Sequence, residues 1–433
     1  MLSVTASQIA PSPIRERLLL GAAVMVVMAP VWSTAAYSIS LGLMVLAWFA
    51  ATPWRRPGWR PPFLVGTAVF AACLGAATAA APDLAASWEE YRSFYPFLLL
   101  FLGADAVRDS RSHRLVVSAF LLSAGIAAAG ATLSGWGLFG GPESRFSGAV
   151  GIFEYAFCMV LGWVCAAWFF LRAKQRFAAL GWFVLTLLFL DAIRLNATRA
   201  SLVALSAAAV LIAVICWRDW RRLLILLLPF LVAAAASLDS ELGARLLKSD
   251  NEFRLEDPQS QRQVIWAHAW MLFREHPVLG AGPGSFTSAS AALKGDPRLK
   301  GYPRLRHPYR TAHSIPLHLL ATAGVIGLLG FLVWAADTVK RFLRGLSFAP
   351  HAAVPALATL TVVLAFGMTD MSLLNTRISG LLCLLLGIAA GAMRGAAAEV
   401  TDRAAHSIAA EALARSEPAP SSQSMFSQPT RVN

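Results

Sequence analysis

The residues best suited to chemistry are His313, in Thr311-Ala312-His313-Ser314, Arg262, in SQRQVIWAHAW, and Arg199, in LNATRAS. Imidazoles titrate near neutrality, so a histidine can take a proton from an attacking hydroxyl, and a helix N-terminus beside it favours the neutral, basic form. The competing reading of His313 is an interfacial histidine bonded to its neighbours. Guanidinium groups present a planar fork that grips a diphosphate at two points. Arg199 lies at the end of two apolar runs, where a charge is costly without a partner, though snorkelling to an interface also explains it. Arg262 shares a helical face with Ile265, Trp266 and Ala269, which turns it towards apolar surroundings. Asp370, closing an apolar run in Met-Thr-Asp-Met-Ser, can orient His313 or an acceptor hydroxyl, or be a solvated helix end. Arg92, Arg145 and Arg377 add positive charge in short connections. So does the ribbon from Lys294 to Arg310, with Lys300, Arg304, Tyr302 and Tyr309 among its residues. Its Tyr309 and Arg310 stand nearest His313 in sequence and join the candidate phosphate-binding set. The hydrophilic connections carry no His-x-x-x-His, Asp-x-Asp or paired-carboxylate motif. Arginines can balance the charge of a pyrophosphate leaving group. A metal-independent reaction without a cofactor is therefore expected.

These residues need elements to hold them, and composition says which. The chain has 433 residues, of which 57% are hydrophobic and 14% charged; a soluble protein carries about 25% charged residues. An all-α, polytopic membrane protein follows. About twelve apolar runs approach membrane-helix length: 16–33, 35–52, 63–81, 94–107, 115–138, 150–171, 178–195, 200–217, 222–238, 315–337, 352–370 and 378–393. The fourth is short. Basic clusters alternate between them (Arg55 and Arg56 with Arg60; Arg108, Arg111 and Arg114; Arg172, Lys174 and Arg176; Arg218, Arg221 and Arg222; Lys340, Arg341 and Arg344). The positive-inside rule puts these clusters, and with twelve spans both termini, in the cytoplasm.

The chain then divides into helices one to nine (1–238), a large outward loop (239–314), helices ten to twelve (315–393) and a polar tail (394–433) expected to be disordered. The first apolar run reads as a retained helix rather than a cleaved leader. The net charge of +13 sits mainly in the short clusters, so it reports topology and not nucleic-acid binding. All five cysteines fall inside apolar runs and fit no zinc spacing. In the loop, Asp257-Pro258 starts a helix that ends near Arg274. Gly280, Gly282, Pro283 and Gly284 make a tight turn, and Ser314 with Pro316 opens the next membrane helix. His268, on the loop helix, is a minor candidate, and His276 and His307 read as surface residues.

In order along the chain, Arg199, then RQVIWAHAWMLFREHPVLGAGPGSF, then AHSIPLHLLATAGVIGLLGFL resembles the O-antigen ligase and polymerase superfamily. The resemblance implies a GT-C-like membrane glycosyltransferase of the bacterial inner membrane, with its active site in one large, partly helical periplasmic loop. In such ligases O-antigen passes from undecaprenyl diphosphate to a sugar hydroxyl of lipid A-core, with membrane lipids around both substrates. By position, His313 matches the family's essential histidine and Arg199 and Arg262 its diphosphate-binding arginines. The reaction implied is inverting and needs no ATP. O-antigen polymerases and protein O-oligosaccharyltransferases share these motifs and stay open as alternatives. The single long loop late in the chain favours a ligase. A transporter is the reading from another class. Against it stand the near-absence of ionisable residues inside the apolar runs away from their ends, Glu154 being the nearest exception, and the lack of Gly/Pro-broken helices in matching halves.

Overall fold

The computed structural model describes residues 13–51, 59–135, 149, 151–196, 198–238, 261–292 and 309–416. Among these residues every regular element is helical. They comprise α1 (Pro13–Met28), α2 (Thr34–Ala51), α3 (Leu64–Ala79), α4 (Leu84–Arg92), α5 (Leu99–Ala106), α6 (Ser110–Gly135), α7 (Ile152–Arg172) and α8 (Arg176–Asn196). After these come α9 (Arg199–Ile215), α10 (Trp220–Leu238), α11 (Gln261–Glu275), α12 (Phe286–Ala292), α13 (Ile315–Gly345), α14 (Pro350–Gly367) and α15 (Thr376–Ser416).

Each of the twelve apolar runs carries helix. Seven helices (α2, α6, α7, α8, α13, α14 and α15) are long and apolar enough to span a membrane. An eighth span is added if α9 and the helix after it, which meet at 93°, are counted as one. A polytopic membrane protein stands on these lengths, and the count of twelve goes beyond them. The fourth run is interrupted: a 3-10 turn at Tyr95–Leu98, with Pro96 in it, precedes the eight residues of α5.

The apolar faces pack into one large core, with Trp163, Trp168, Trp334, Phe157 and Phe366 fully buried. A second, smaller core lies under the hydrophilic segment. Ile265, Ala269 and Leu272 of α11 meet Phe286 of α12, Ala312 and Ala321 there. Thus the segment is tied to the bundle by apolar packing of its own.

Two features depart from the sequence reading. The tail expected to be irregular from residue 394 begins as helix, because α15 continues to Ser416. Its stretch GAAAEVTDRAAHSIAAEALARS is rich in Ala, Glu and Arg, and such residues favour helix whatever their polarity. Residues 417–433 lie outside those described. The second departure is a broken helix. Within α13, Gly324 has φ 64° and ψ −164°, which interrupts the helical backbone.

The break is filled by the glycine turn. Ala281 and Gly282 donate N–H bonds to the carbonyls of Ala321 and Thr322, both at 2.9 Å. In return Val325 N–H reaches the Pro277 carbonyl at 2.9 Å and Ile326 N–H that of Val278 at 3.3 Å. Backbone groups freed at membrane depth are costly unless paired, and here the turn pairs four of them. A Cβ on Gly280 would stand 2.3 Å from Thr322 C, and one on Gly324 2.2 Å from Val278 O. Both positions also have positive φ, so sterics and torsion each demand glycine.

Candidate active site

His313 sits where the hydrophilic segment returns to the bundle. Ser314 occupies the N-cap position of α13 with an extended backbone, and Pro316 lies in the first turn, but the Ser314 hydroxyl makes no cap bond. The cap is instead preceded by an unusual residue: His313 has φ 48°, the left-handed region that side chains rarely enter. Its Nδ1 lies 3.3 Å from Asp370 Oδ1, beyond the end of α14. The carboxylate accepts from Nδ1–H, which leaves the lone pair on Nε2. Tyr309 packs edge-on against the ring, at 5.7 Å between centroids.

Arg262 is half-buried in the first turn of α11. Burial pushes its guanidinium below the usual arginine range, Asp370 opposes that fall, and Arg199 adds to it. Asp370 and Arg199 therefore each lie within electrostatic reach of Arg262. Arg199 opens α9 beside buried Thr198, whose hydroxyl donates to Asn196 Oδ1, while Asn196 Nδ2 bonds the Ile152 carbonyl at 3.0 Å. His313 is thus linked to Asp370, Asp370 to Arg262 and Arg262 to Arg199, across four separate stretches of chain.

Other candidates resolve differently. Arg377 is taken up by Glu154 at 2.9 Å, and Asn375 Nδ2 bonds the same carboxylate oxygen at 2.8 Å. Glu154 is therefore an ion-pair partner, and Arg377 is committed to it. Arg92 is exposed on the last turn of α4, and Arg310 is exposed beside the half-buried Tyr309. His268 is buried and ties α11 to α12 through Ser290 Oγ at 3.1 Å, and His276 is exposed. Asp191 is paired with Arg194 at 2.8 Å and with the Thr132 hydroxyl at 3.0 Å. Arg145, the ribbon from Lys294 to His307, and Asp257-Pro258 lie outside the described residues.

Two residues that sequence reasoning passed over support the site. His318, one turn into α13, has no exposed surface. Its Nδ1 accepts the Ala312 N–H at 3.3 Å, and its Nε2 lies 3.0 Å from Glu90 Oε1 of α4. A backbone N–H can only donate, so Nδ1 carries no proton and Nε2–H donates to Glu90. The pair fastens the residue just before His313. A histidine three to five residues after His313, on the same face as the cap, was the available signal; Glu90 gave none, since 228 residues separate it from His318.

Among the described residues no three His, Cys, Asp or Glu side chains gather as a ligand set. No curated protein matches the chain. Residues 182–332 match the family model described as O-Antigen ligase. That stretch runs from within α8 to within α13 and contains Arg199, Arg262, the glycine turn and His313. The match covers about a third of the chain and places an O-antigen ligase domain among several membrane-spanning helices.

Proposed function

We propose that this protein is an O-antigen ligase, transferring O-antigen polysaccharide from undecaprenyl diphosphate to a sugar hydroxyl of lipid A-core. The superfamily supplies the general class, a membrane glycosyltransferase with polysaccharide and lipid substrates. One observation carries the finer reading: Asp370, which holds His313, acts on the charge of Arg262, and Arg262 in turn lies within reach of Arg199. A base next to a dianion site is what this transfer requires. His313 Nε2 takes the proton of the acceptor hydroxyl, and the oxygen attacks the anomeric carbon from the face opposite the leaving group. The bond from that carbon to the diphosphate oxygen breaks, with inversion. Arg262 and Arg199 offset the charge that grows on the departing undecaprenyl diphosphate. Asp370 holds the imidazole and balances the charge it gains. Neither ATP nor a metal ion enters the scheme, because the lipid diphosphate is already an activated leaving group.

In this reading the His313 end of the bundle faces the periplasm and the basic connections face the cytoplasm of the inner membrane. Charge sorting supports it: Arg60, Arg108, Arg341 and Arg394 gather at the far end of α13 from His313. The helix break at Gly324, a feature shared with transporters, is filled by the protein's own turn rather than left to line a substrate path.

The test is reconstitution of purified protein with undecaprenyl-diphosphate-linked O-antigen and lipid A-core, in EDTA and without ATP. A lipopolysaccharide ladder that His313→Ala abolishes, with donor still bound, supports the ligase. Longer glycans left on undecaprenyl diphosphate identify a polymerase, and transfer to a peptide identifies a protein oligosaccharyltransferase. Normal transfer by the His313 variant overturns the mechanism.

A further inference from the structure

A cavity of about 240 Å³ opens between the far end of α13 and the middle of α15. On α13 its wall is Asp337, Lys340, Arg341 and Arg344, a spacing of three and four that sets all four on one face. On α15 the wall is Ala390, Met393, Arg394 and Ala397, with the same spacing. Four cations thus surround one carboxylate. Ala390 and Ala397 leave the space that larger side chains would fill.

The cations are held in place. Arg394 bonds the Ala104 carbonyl and Asp105 Oδ1, the latter at 3.2 Å, and Asp105 is itself fixed by the indole N–H groups of Trp48 and Trp59 at 3.0 and 3.2 Å. Arg341 lies over the Phe63 ring, with its guanidinium carbon 5.0 Å from the centroid. Arg344 and Arg394 both repel it and Asp337 attracts it. Its Nε is buried and has no hydrogen-bond acceptor, a state that is costly for a donor on a charged group.

Topology signals explain basic residues near a span end. They do not explain like charges converging on a cavity, nor a buried donor left without an acceptor. An anion in the cavity relieves the first. Volume limits which anion: sites for drug-sized molecules run from about 300 to 1,000 Å³, so this one suits a single phosphate group rather than a nucleotide. The apolar Met393 and Phe348 beside the cations suit an amphiphile.

We propose that this cavity binds one phosphate-bearing anion, the headgroup of an anionic membrane phospholipid, at the opposite membrane end from His313. At 1.5 Å per residue the two sites lie roughly 40 Å apart along α13. The site is therefore independent of the reaction proposed at His313. Phosphate oxygens accept from the exposed Lys340 and Arg344 side chains, with the Arg341 charge beside them, and the glycerol end lies against Met393.

The test is native mass spectrometry of the full chain in detergent, titrated with phosphatidylglycerol, with phosphatidylcholine and with inorganic phosphate. Expected is one retained phosphatidylglycerol per protein, in preference to phosphatidylcholine. Lys340→Gln with Arg344→Gln, both exposed positions, should cut that occupancy at least tenfold without disturbing the fold. Arg341→Met removes the third charge of that wall and should lower occupancy as well. Arg218→Gln with Arg221→Gln removes equal charge from another basic connection and should leave occupancy unchanged. Retention of inorganic phosphate in place of lipid, lost in the same variants, supports the phosphate site and names the free ion as its source. Equal loss in both double variants shows diffuse surface charge and overturns the proposal, as does failure to retain either phosphate or lipid.

Discussion

Replacing His318 with leucine tests how the turn at His313 is held. Leucine fills similar space but removes the acceptor for Ala312 N–H and the donor to Glu90. Ala312 has no exposed surface, so its N–H loses its only partner without gaining water. Such a loss is worth about 1–3 kcal/mol. The neighbouring His313 holds φ 48°, and a non-glycine residue there stores of order 1–3 kcal/mol that its surroundings must offset. The two quantities match, so losing the first is enough to release the second. A shift of about 1–3 kcal/mol in the population of the competent turn corresponds to a 5–150-fold change. That fall is expected in kcat. KM for the lipid-linked donor should hold, because Arg199 and Arg262 stand on other elements. Asparagine places an oxygen where Nδ1 stood, so His318→Asn should recover much of the turnover that His318→Leu loses. Glu90→Gln keeps an acceptor for Nε2–H and should lie nearer the wild type. The assay is steady-state ladder formation in proteoliposomes, with thermal unfolding of each variant beside it. Unchanged turnover in His318→Leu refutes the reasoning, and so does an asparagine variant as impaired as the leucine one.

Asp370→Asn keeps a side chain beside Nδ1 but not the charge that balances a protonated imidazole; kcat should fall about 100-fold or more, with donor affinity retained in a binding assay. Arg262→Lys keeps the positive charge and loses the two-point fork. A raised donor KM is expected, larger again in Arg262→Ala, and an unaltered KM would remove Arg262 from the donor site. Arg377→Gln leaves Glu154 in a pair whose side chains are only 14% and 17% exposed. The loss should be about 3–5 kcal/mol of stability, read as a lowered unfolding temperature, while Arg377→Gln combined with Glu154→Gln loses less. Gly280→Ala puts a methyl 2.3 Å from Thr322 C and should destabilise the protein. Gly181→Ala, in the interior of α8 with nothing within 4 Å, should raise stability by up to about 1 kcal/mol.

The membrane class, the positions of the helices and the candidacy of His313, Arg262 and Arg199 were all legible in the chain itself. Span-length apolar runs and charge clusters are local properties, and a helix that satisfies its own backbone does not need to know its neighbours. The loop helix was readable to within a residue at its C-terminal end, and the turn at Gly280 to Gly284 from its composition. Where composition misled, at residues 394–416, polarity was taken for irregularity in a stretch of strong helix formers. What needed the tertiary structure was every pairing between distant stretches. Asp370 read more readily as a solvated helix end, and only α14 brings it to His313. Glu154 and Arg377 looked like separate oddities and are one ion pair. Glu90 and His318 had no sequence signature, since a hydrogen bond between residues 228 apart exists only once α4 packs beside α13. The break at Gly324 belongs to the same class: a glycine in an apolar helix is ordinary, and its positive φ follows from the turn of another segment entering the gap. Periodicity and composition are written along the chain, whereas the geometry that sets His313 beside Asp370 is decided by packing.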